Sequence, residues 1–191
     1  KPNPPTPVMP VNNSYALIDD SSVRLAWIHS PIDGTPQESA ILGYSTGEVG
    51  DANTETVTIE DEALYELNIG TFESGTKLKW RVKTKGAHPS YSDWSEVYNL
   101  DLYLKPTITW TAPGNGSSIS NLPLDLEWNY SDDAGTLERL TLSIIQDGEA
   151  LSQYDLDTAL SSGAGSQRFS DYLFDDNETY QLLLTATSSI G

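Results

Sequence analysis

The stretch GTKLKWRVKTKG, residues 75–86, decides how the chain is read. Lys77, Lys79, Arg81, Lys83 and Lys85 alternate strictly with Leu78, Trp80, Val82 and Thr84. A period of two marks a β-strand with one face in a core and the other in water. Five of the ten Lys and Arg residues lie in this stretch, although 28 Asp and Glu give the chain a formal net charge of −18. The stripe therefore has two readings. In one it is the solvent face of an ordinary strand, its long stems covering apolar surface. In the other it is a basic, aromatic-lined face for an anionic polymer such as a wall polysaccharide.

The same period governs the rest of the chain. Val23, Leu25 and Trp27 share one face, as do Leu124, Leu126, Trp128 and Tyr130. Tyr180, Leu182, Leu184 and Ala186 alternate in the same way. No capped amphipathic helix competes with these strands. The fold class is all-β.

The chain also repeats. Trp27 and Trp128 stand 101 residues apart, preceded by VRLA and LDLE. Gly-Thr follows each seven residues later (Gly34-Thr35, Gly135-Thr136), and Gly-Glu follows at twenty (Gly47-Glu48, Gly148-Glu149). Coincident offsets at one period indicate tandem duplication. One parity disagrees: Ala40, Leu42 and Tyr44 fall one residue out of register with Leu140, Leu142 and Ile144. A bulge or a loop one residue shorter would repair it.

Two domains of about 100 residues fit the length. The first is placed at 1–104, with the Pro-rich KPNPPTPVMPV as an extended lead-in and SYSDWSEVYNLDL as its last strand. The second is placed at 105–191 and is expected to lack its last strand, as a fragment of a longer protein would. The joint LKP (104–106) is short, which favours a stiff tandem. No basic-then-apolar leader opens the sequence, so any export signal is expected outside it.

Each repeat resembles a fibronectin type III domain, an immunoglobulin-like β-sandwich of seven strands. Trp27 and Trp128 match its strand-B Trp, and DDNETYQLLLTATSSIG (175–191) matches its E–F loop and strand F. The resemblance puts Tyr180 at the tyrosine-corner position; Leu78 takes that place in the first repeat, without a hydroxyl. YSDWS (91–95) resembles the strand-G segment. A narrower resemblance is to repeats in tail proteins of long-tailed bacteriophages. It rests on LAWIHSPIDGTPQESAILGYSTGE (25–48) followed by LKWRVKTKG (78–86), and on KPTITWTAPGNGSSISNLPLDLEWNYSDDAGT (105–136).

The resemblance implies a non-catalytic structural or adhesive module of a phage or prophage tail protein, in the virion tail or otherwise extracellular. The alternative is a spacer or binding domain of a secreted bacterial glycan-active enzyme or surface adhesin. Implied partners are other tail or surface-protein subunits and cell-wall polysaccharide. The candidate surface contacts are Lys79, Arg81, Lys83, Tyr91 and Trp94, with Tyr91 and Trp94 across from Lys79 and Arg81. Trp27, Trp80, Trp128 and Tyr180 are the structural core.

Other chemistry is sparse. With no cysteine, disulfides, thiolate metal sites and cysteine nucleophiles are excluded. The acidic balance disfavours attraction to nucleic acid and anionic lipid, and no apolar run approaches the ~20 residues of a membrane-spanning helix. His29 and His88 are the only histidines, too few for a zinc site and without a partner pattern for catalysis. Asp19-Asp20, Asp132-Asp133 and Asp175-Asp176 lack the alternating spacing of a calcium loop and read as solvated turns. Trp110 is open to two roles, packing between domains or stacking on sugar. No cofactor and no enzymatic activity are expected.

Overall fold

The computed structural model describes all residues except 52, 121–122, 157–161, 170–173, 176 and 190–191. It forms two units, Lys1–Leu104 and Lys105–Gly191. The first unit contains β1 (Asn3–Met9), β2 (Ser14–Leu17), β3 (Ser22–Ser30), β4 (Ser39–Ser45), β5 (Glu55–Ile59), β6 (Leu64–Asn68), β7 (Thr76–Lys85) and β8 (Tyr98–Tyr103). One sheet has the order β1-β3-β6; the other has β2-β8-β7-β4-β5. Apart from β2 alongside β8, all neighbours are antiparallel. This is the strand order of a fibronectin type III sandwich, with β3 as strand B, β7 as strand F and β8 as strand G.

The alternation seen in the sequence fills the space between the sheets. Leu25 and Trp27 from β3 meet Ala40 and Leu42 from β4, Leu78, Trp80 and Val82 from β7, and Leu100 and Leu102 from β8. Each fully buried Leu is worth about 1.5–3 kcal/mol of transfer free energy, so this one-sided pattern fixes the register. Trp80 meets Tyr98 edge-on at 5.7 Å between centroids.

The Pro-rich opening is not a lead-in. It is β1, antiparallel to β3, with Pro5 and Pro7 buried and Pro4 and Thr6 exposed. Proline cannot donate to a ladder, so it is tolerated only at a sheet edge, which is where β1 lies.

The second unit contains β9 (Thr107–Ala112), β10 (Leu124–Ser131), β11 (Leu137–Gln146), β12 (Glu149–Leu156), β13 (Gly163–Phe169) and β14 (Gln181–Ser188). Its sheets run β13-β10-β9 and β12-β11-β14. Leu126, Trp128, Tyr130, Leu140, Leu142 and Ile144 form its core. β10 and β14 take the places of β3 and β7. Among the described residues β14 pairs with β11 alone, whereas β7 has β4 on one side and β8 on the other.

The parity mismatch is a loop difference. Leu42 faces Val82, and Leu142 faces Leu184. From Trp27 to Leu42 is one residue farther than from Trp128 to Leu142, so the strand-B to strand-C connection is the shorter one in the second unit. No bulge is needed.

Candidate functional site: a cation–aromatic ladder on β7

β7 carries the basic stripe. Leu78, Trp80, Val82 and Thr84 are fully buried, and Lys77, Lys79, Arg81, Lys83 and Lys85 lie on the opposite face. Beside this face the chain does not form a regular strand until β8. Residues 91–97 are held instead by two serines. Ser92 N–H donates to the Thr84 carbonyl at 2.8 Å, and Ser95 N–H donates to the Val82 carbonyl at 2.8 Å. In return Thr84 N–H donates to Ser92 Oγ at 3.1 Å and Val82 N–H to Ser95 Oγ at 3.0 Å. Both hydroxyls donate onward, to the carbonyls of Asp93 and Glu96. Each serine thus satisfies both backbone groups of its partner.

Three residues of this segment span two of β7, as in a bulge. The effect is to turn Tyr91 and Trp94 over the basic face. Arg81 Cζ lies 4.4 Å from the Trp94 centroid, and Lys83 Nζ lies 4.7 Å from it. Lys83 Nζ and Lys85 Nζ each lie 5.5 Å from the Tyr91 centroid. Strand residues two apart project from points about 6.7 Å apart, so the cations flank each ring. The order is Arg81, Trp94, Lys83, Tyr91, Lys85. The Tyr91 hydroxyl shares a 2.8 Å hydrogen bond with Ser39 Oγ.

The expected pairing is half right. Trp94 lies with Arg81, but Lys79 does not meet Tyr91; it forms an ion pair with Glu48. The extra residue in 91–97 moves Tyr91 one step along β7, between Lys83 and Lys85. Two small residues admit the ladder. Gly43, opposite Arg81 on β4, lies under Trp94, where a Cβ would sit 3.6 Å from the ring. Gly50, at φ +110°, passes so close to the Arg81 guanidinium that a Cβ would be 2.8 Å from it.

At the end of the same unit, the stretch WIHSPIDGTPQ closes one end of the sandwich. Trp27 Nε1 donates to Gln37 Oε1 at 2.8 Å. Gln37 Nε2 donates to the carbonyls of Glu62 (2.6 Å) and Glu60 (3.2 Å). His29 Nδ1 lies 2.8 Å from Thr84 Oγ1, joining β3 to β7 across the two sheets. Burial pushes the His29 pKa down, outweighing the opposing Thr35 backbone and the Asp33 carboxylate. Asp33 accepts from both Thr35 N–H and Thr35 Oγ, and Gly34 between them takes φ +73°. His88 accepts a local bond from Ser90 N–H.

In the second unit the corresponding corner is built around Asp132, which the sequence suggested was a solvated turn. Its carboxylate accepts from Tyr130 OH (2.7 Å), Ser188 Oγ (2.5 Å), Ala134 N–H (3.1 Å) and Gly135 N–H (2.7 Å). Burial raises its pKa, but these four donors outweigh it and hold the group below its ordinary value. Gly34 and Gly135 are therefore not equivalent despite their matching offset. Gln37 has no counterpart here, and Trp128 Nε1 is buried without a partner among the described residues.

Tyr180 OH accepts from Asp175 N–H at 2.8 Å, and the ring meets Phe174 edge-on. Asp176 lies outside the described residues. Trp110 is half-buried, packs on the second unit's own core and donates to the Pro113 carbonyl at 2.7 Å. A groove of about 200 Å³ beside it is lined by Ile108 and Leu182 to Leu184. Among the described residues no group of three or more His, Cys, Asp and Glu is placed to hold a metal.

No family model matches the chain, and no curated protein matches it. Among solved structures it is similar to the FN1–FN3 domains of chicken CNTN1, at 10% identity and a TM-score of 0.45, covering 99% of this chain and 62% of that one. It is similar to an α-L-rhamnosidase from Dictyoglumus thermophilum, at 11% identity and a TM-score of 0.45, covering 100% of this chain and 28% of that one. It is also similar to the fibronectin(III)-like modules of Clostridium thermocellum CbhA, at 14% identity and a TM-score of 0.37, covering 97% and 86%. The assignment of the sandwich rests on strand order.

Proposed function

We propose that the chain is a non-catalytic structural and attachment module of a phage or prophage tail protein, displayed on the virion. Its two sandwich units set distance, and the exposed face of β7 makes contact with other surfaces. The observation that carries this reading is the internal use of the polar residues in WIHSPIDGTPQ. Trp27, His29, Asp33, Thr35 and Gln37 each bond another group of the same unit. Side chains committed to closing the sandwich are not offered to a substrate. The sequence resemblance of this stretch to tail-protein repeats supplies the virion part of the reading.

Immunogold labelling tests it. Antibody raised against the chain should decorate the tails of virions released by the source bacterium. Labelling confined to secreted enzyme or to the cell wall, with bare virions, overturns the tail assignment and favours the accessory-module alternative.

A further inference from the structure

Among the described residues Lys1, Arg24, Lys77, Lys79, Arg139 and Arg168 are in ion pairs with a carboxylate. Such pairing is expected when carboxylates are in large excess. Arg81, Lys83 and Lys85 are different. Among the described residues none of them forms an ion pair, and they are consecutive on one face of β7. Their contacts are with the rings of Trp94 and Tyr91. Arg81 Nε is buried with no hydrogen-bond partner. Glu48 and Asp93 are paired with Lys79 and Lys1 instead. Three cations are thus fixed in a row, their side-chain entropy largely lost on folding, with their charge left over.

We infer that Arg81, Lys83 and Lys85 form a binding strip for a flexible, linear polyol phosphate. The strip places charges about 6.7 Å apart, and guanidinium and ammonium groups suit phosphate oxygens. The ladder also says what the partner lacks. Single-stranded nucleic acid is held largely by bases stacked on aromatic faces, and sugars use the same surfaces. Here Trp94 has Arg81 and Lys83 against it, and Tyr91 has Lys83 and Lys85. Both rings are thus already engaged by cations of the same strip, which compete with a base or a pyranose for them. The acidic remainder of the chain opposes long-range attraction, so binding is short-ranged and multivalent display raises it.

This deepens the attachment part of the proposed function and fails separately from it. The test is titration of the whole chain with poly(glycerol phosphate), with oligothymidylate of equal charge as a second arm. Saturable binding to poly(glycerol phosphate) is expected, at least tenfold tighter than to oligothymidylate. Three phosphate contacts at about −0.7 each give a log–log salt slope near −2, or a roughly 20-fold loss between about 50 and 200 mM salt. Lys83→Gln with Lys85→Gln should lose at least tenfold while unfolding at a similar temperature. Lys77→Gln, on the same strand but paired with Asp101, should change binding less than twofold. No binding at low salt, equal binding by the double variant, or equal affinity for oligothymidylate each overturns the inference. None of these outcomes touches the tail assignment, which immunogold labelling decides.

Discussion

Trp27 and Gln37 are joined by a 2.8 Å hydrogen bond between the indole N–H and the amide oxygen, both buried. The same Gln37 amide nitrogen holds the carbonyls of Glu60 and Glu62. One side chain therefore satisfies three polar groups, one on β3 and two on the connection between β5 and β6. The shorter loop of the second unit has no such residue, and among the described residues Trp128 Nε1 has no partner.

Removing Gln37 should be costly for its size. Gln37→Ala leaves the indole donor and two carbonyls without their partner. An unsatisfied buried group costs about 1–3 kcal/mol, so a loss of about 2–4 kcal/mol is expected. Hydrogen–deuterium exchange of first-unit peptides across a urea series measures it. An effect under about 0.5 kcal/mol, the size of an ordinary surface substitution, would show that water replaces the amide without penalty.

The serines of YSDWS should matter more than their size suggests. Ser95→Ala removes the acceptor of the Val82 N–H and Ser92→Ala that of the Thr84 N–H. Each should destabilise the first unit by about 1–2 kcal/mol. Ser95→Thr, which keeps the hydroxyl, should recover most of the loss. Equal destabilisation by Thr and Ala would point to packing rather than to the hydrogen bond.

His29 gives the first unit a pH dependence of known sign. Its folded pKa lies below the unfolded value of 6.5, because burial disfavours the cation. The unfolded chain therefore takes up the proton first. Its contribution is fully present above pH 6.5 and declines as pH falls from there to the folded pKa. Below that value it adds no further slope. His29→Gln should flatten the difference in stability between pH 7.5 and pH 5.5, measured against the parent chain. An unchanged slope would mean that other groups carry it.

Gly165 is the weak point of the second unit. It pairs with Trp128 across β13 and β10, and a Cβ there would lie 2.4 Å from the indole Nε1 and 2.5 Å from its neighbouring ring carbon. Gly165→Ala must push the buried ring or the strand aside. Overpacking of this kind costs about 1–3 kcal/mol. The second-unit transition should fall and the first-unit transition stay. A neutral result would show that the indole has room to turn.

The sandwich was legible in the sequence because burial on one face imposes a period of two, and β7 and β10 keep that period without interruption. Trp27, Trp80 and Trp128 are buried where the pattern put them, and the hydroxyl of Tyr180 closes the corner that the resemblance assigned to it. The Pro-rich opening was misread because proline signals extended chain whether or not a neighbour pairs with it. Only the burial of Pro5 and Pro7 distinguishes an edge strand from a lead-in. The ladder was half legible. Alternation placed Arg81 and Trp94 on one face, but the extra residue that moves Tyr91 toward Lys85 depends on Ser92 and Ser95, whose paired spacing was the available signal. Asp132 was missed because an Asp-Asp turn looks the same whether its carboxylate meets water or four donors.

The most direct test of the account is a double-mutant cycle between Arg81 and Trp94, using Arg81→Met and Trp94→Leu, followed by urea unfolding of the first unit. Exposed cation–aromatic contacts are worth about 0.5–1 kcal/mol, and a coupling energy of that size is expected, nearly unchanged by added salt. Additive single and double variants would contradict the ladder and return the basic stripe to a row of independent surface charges.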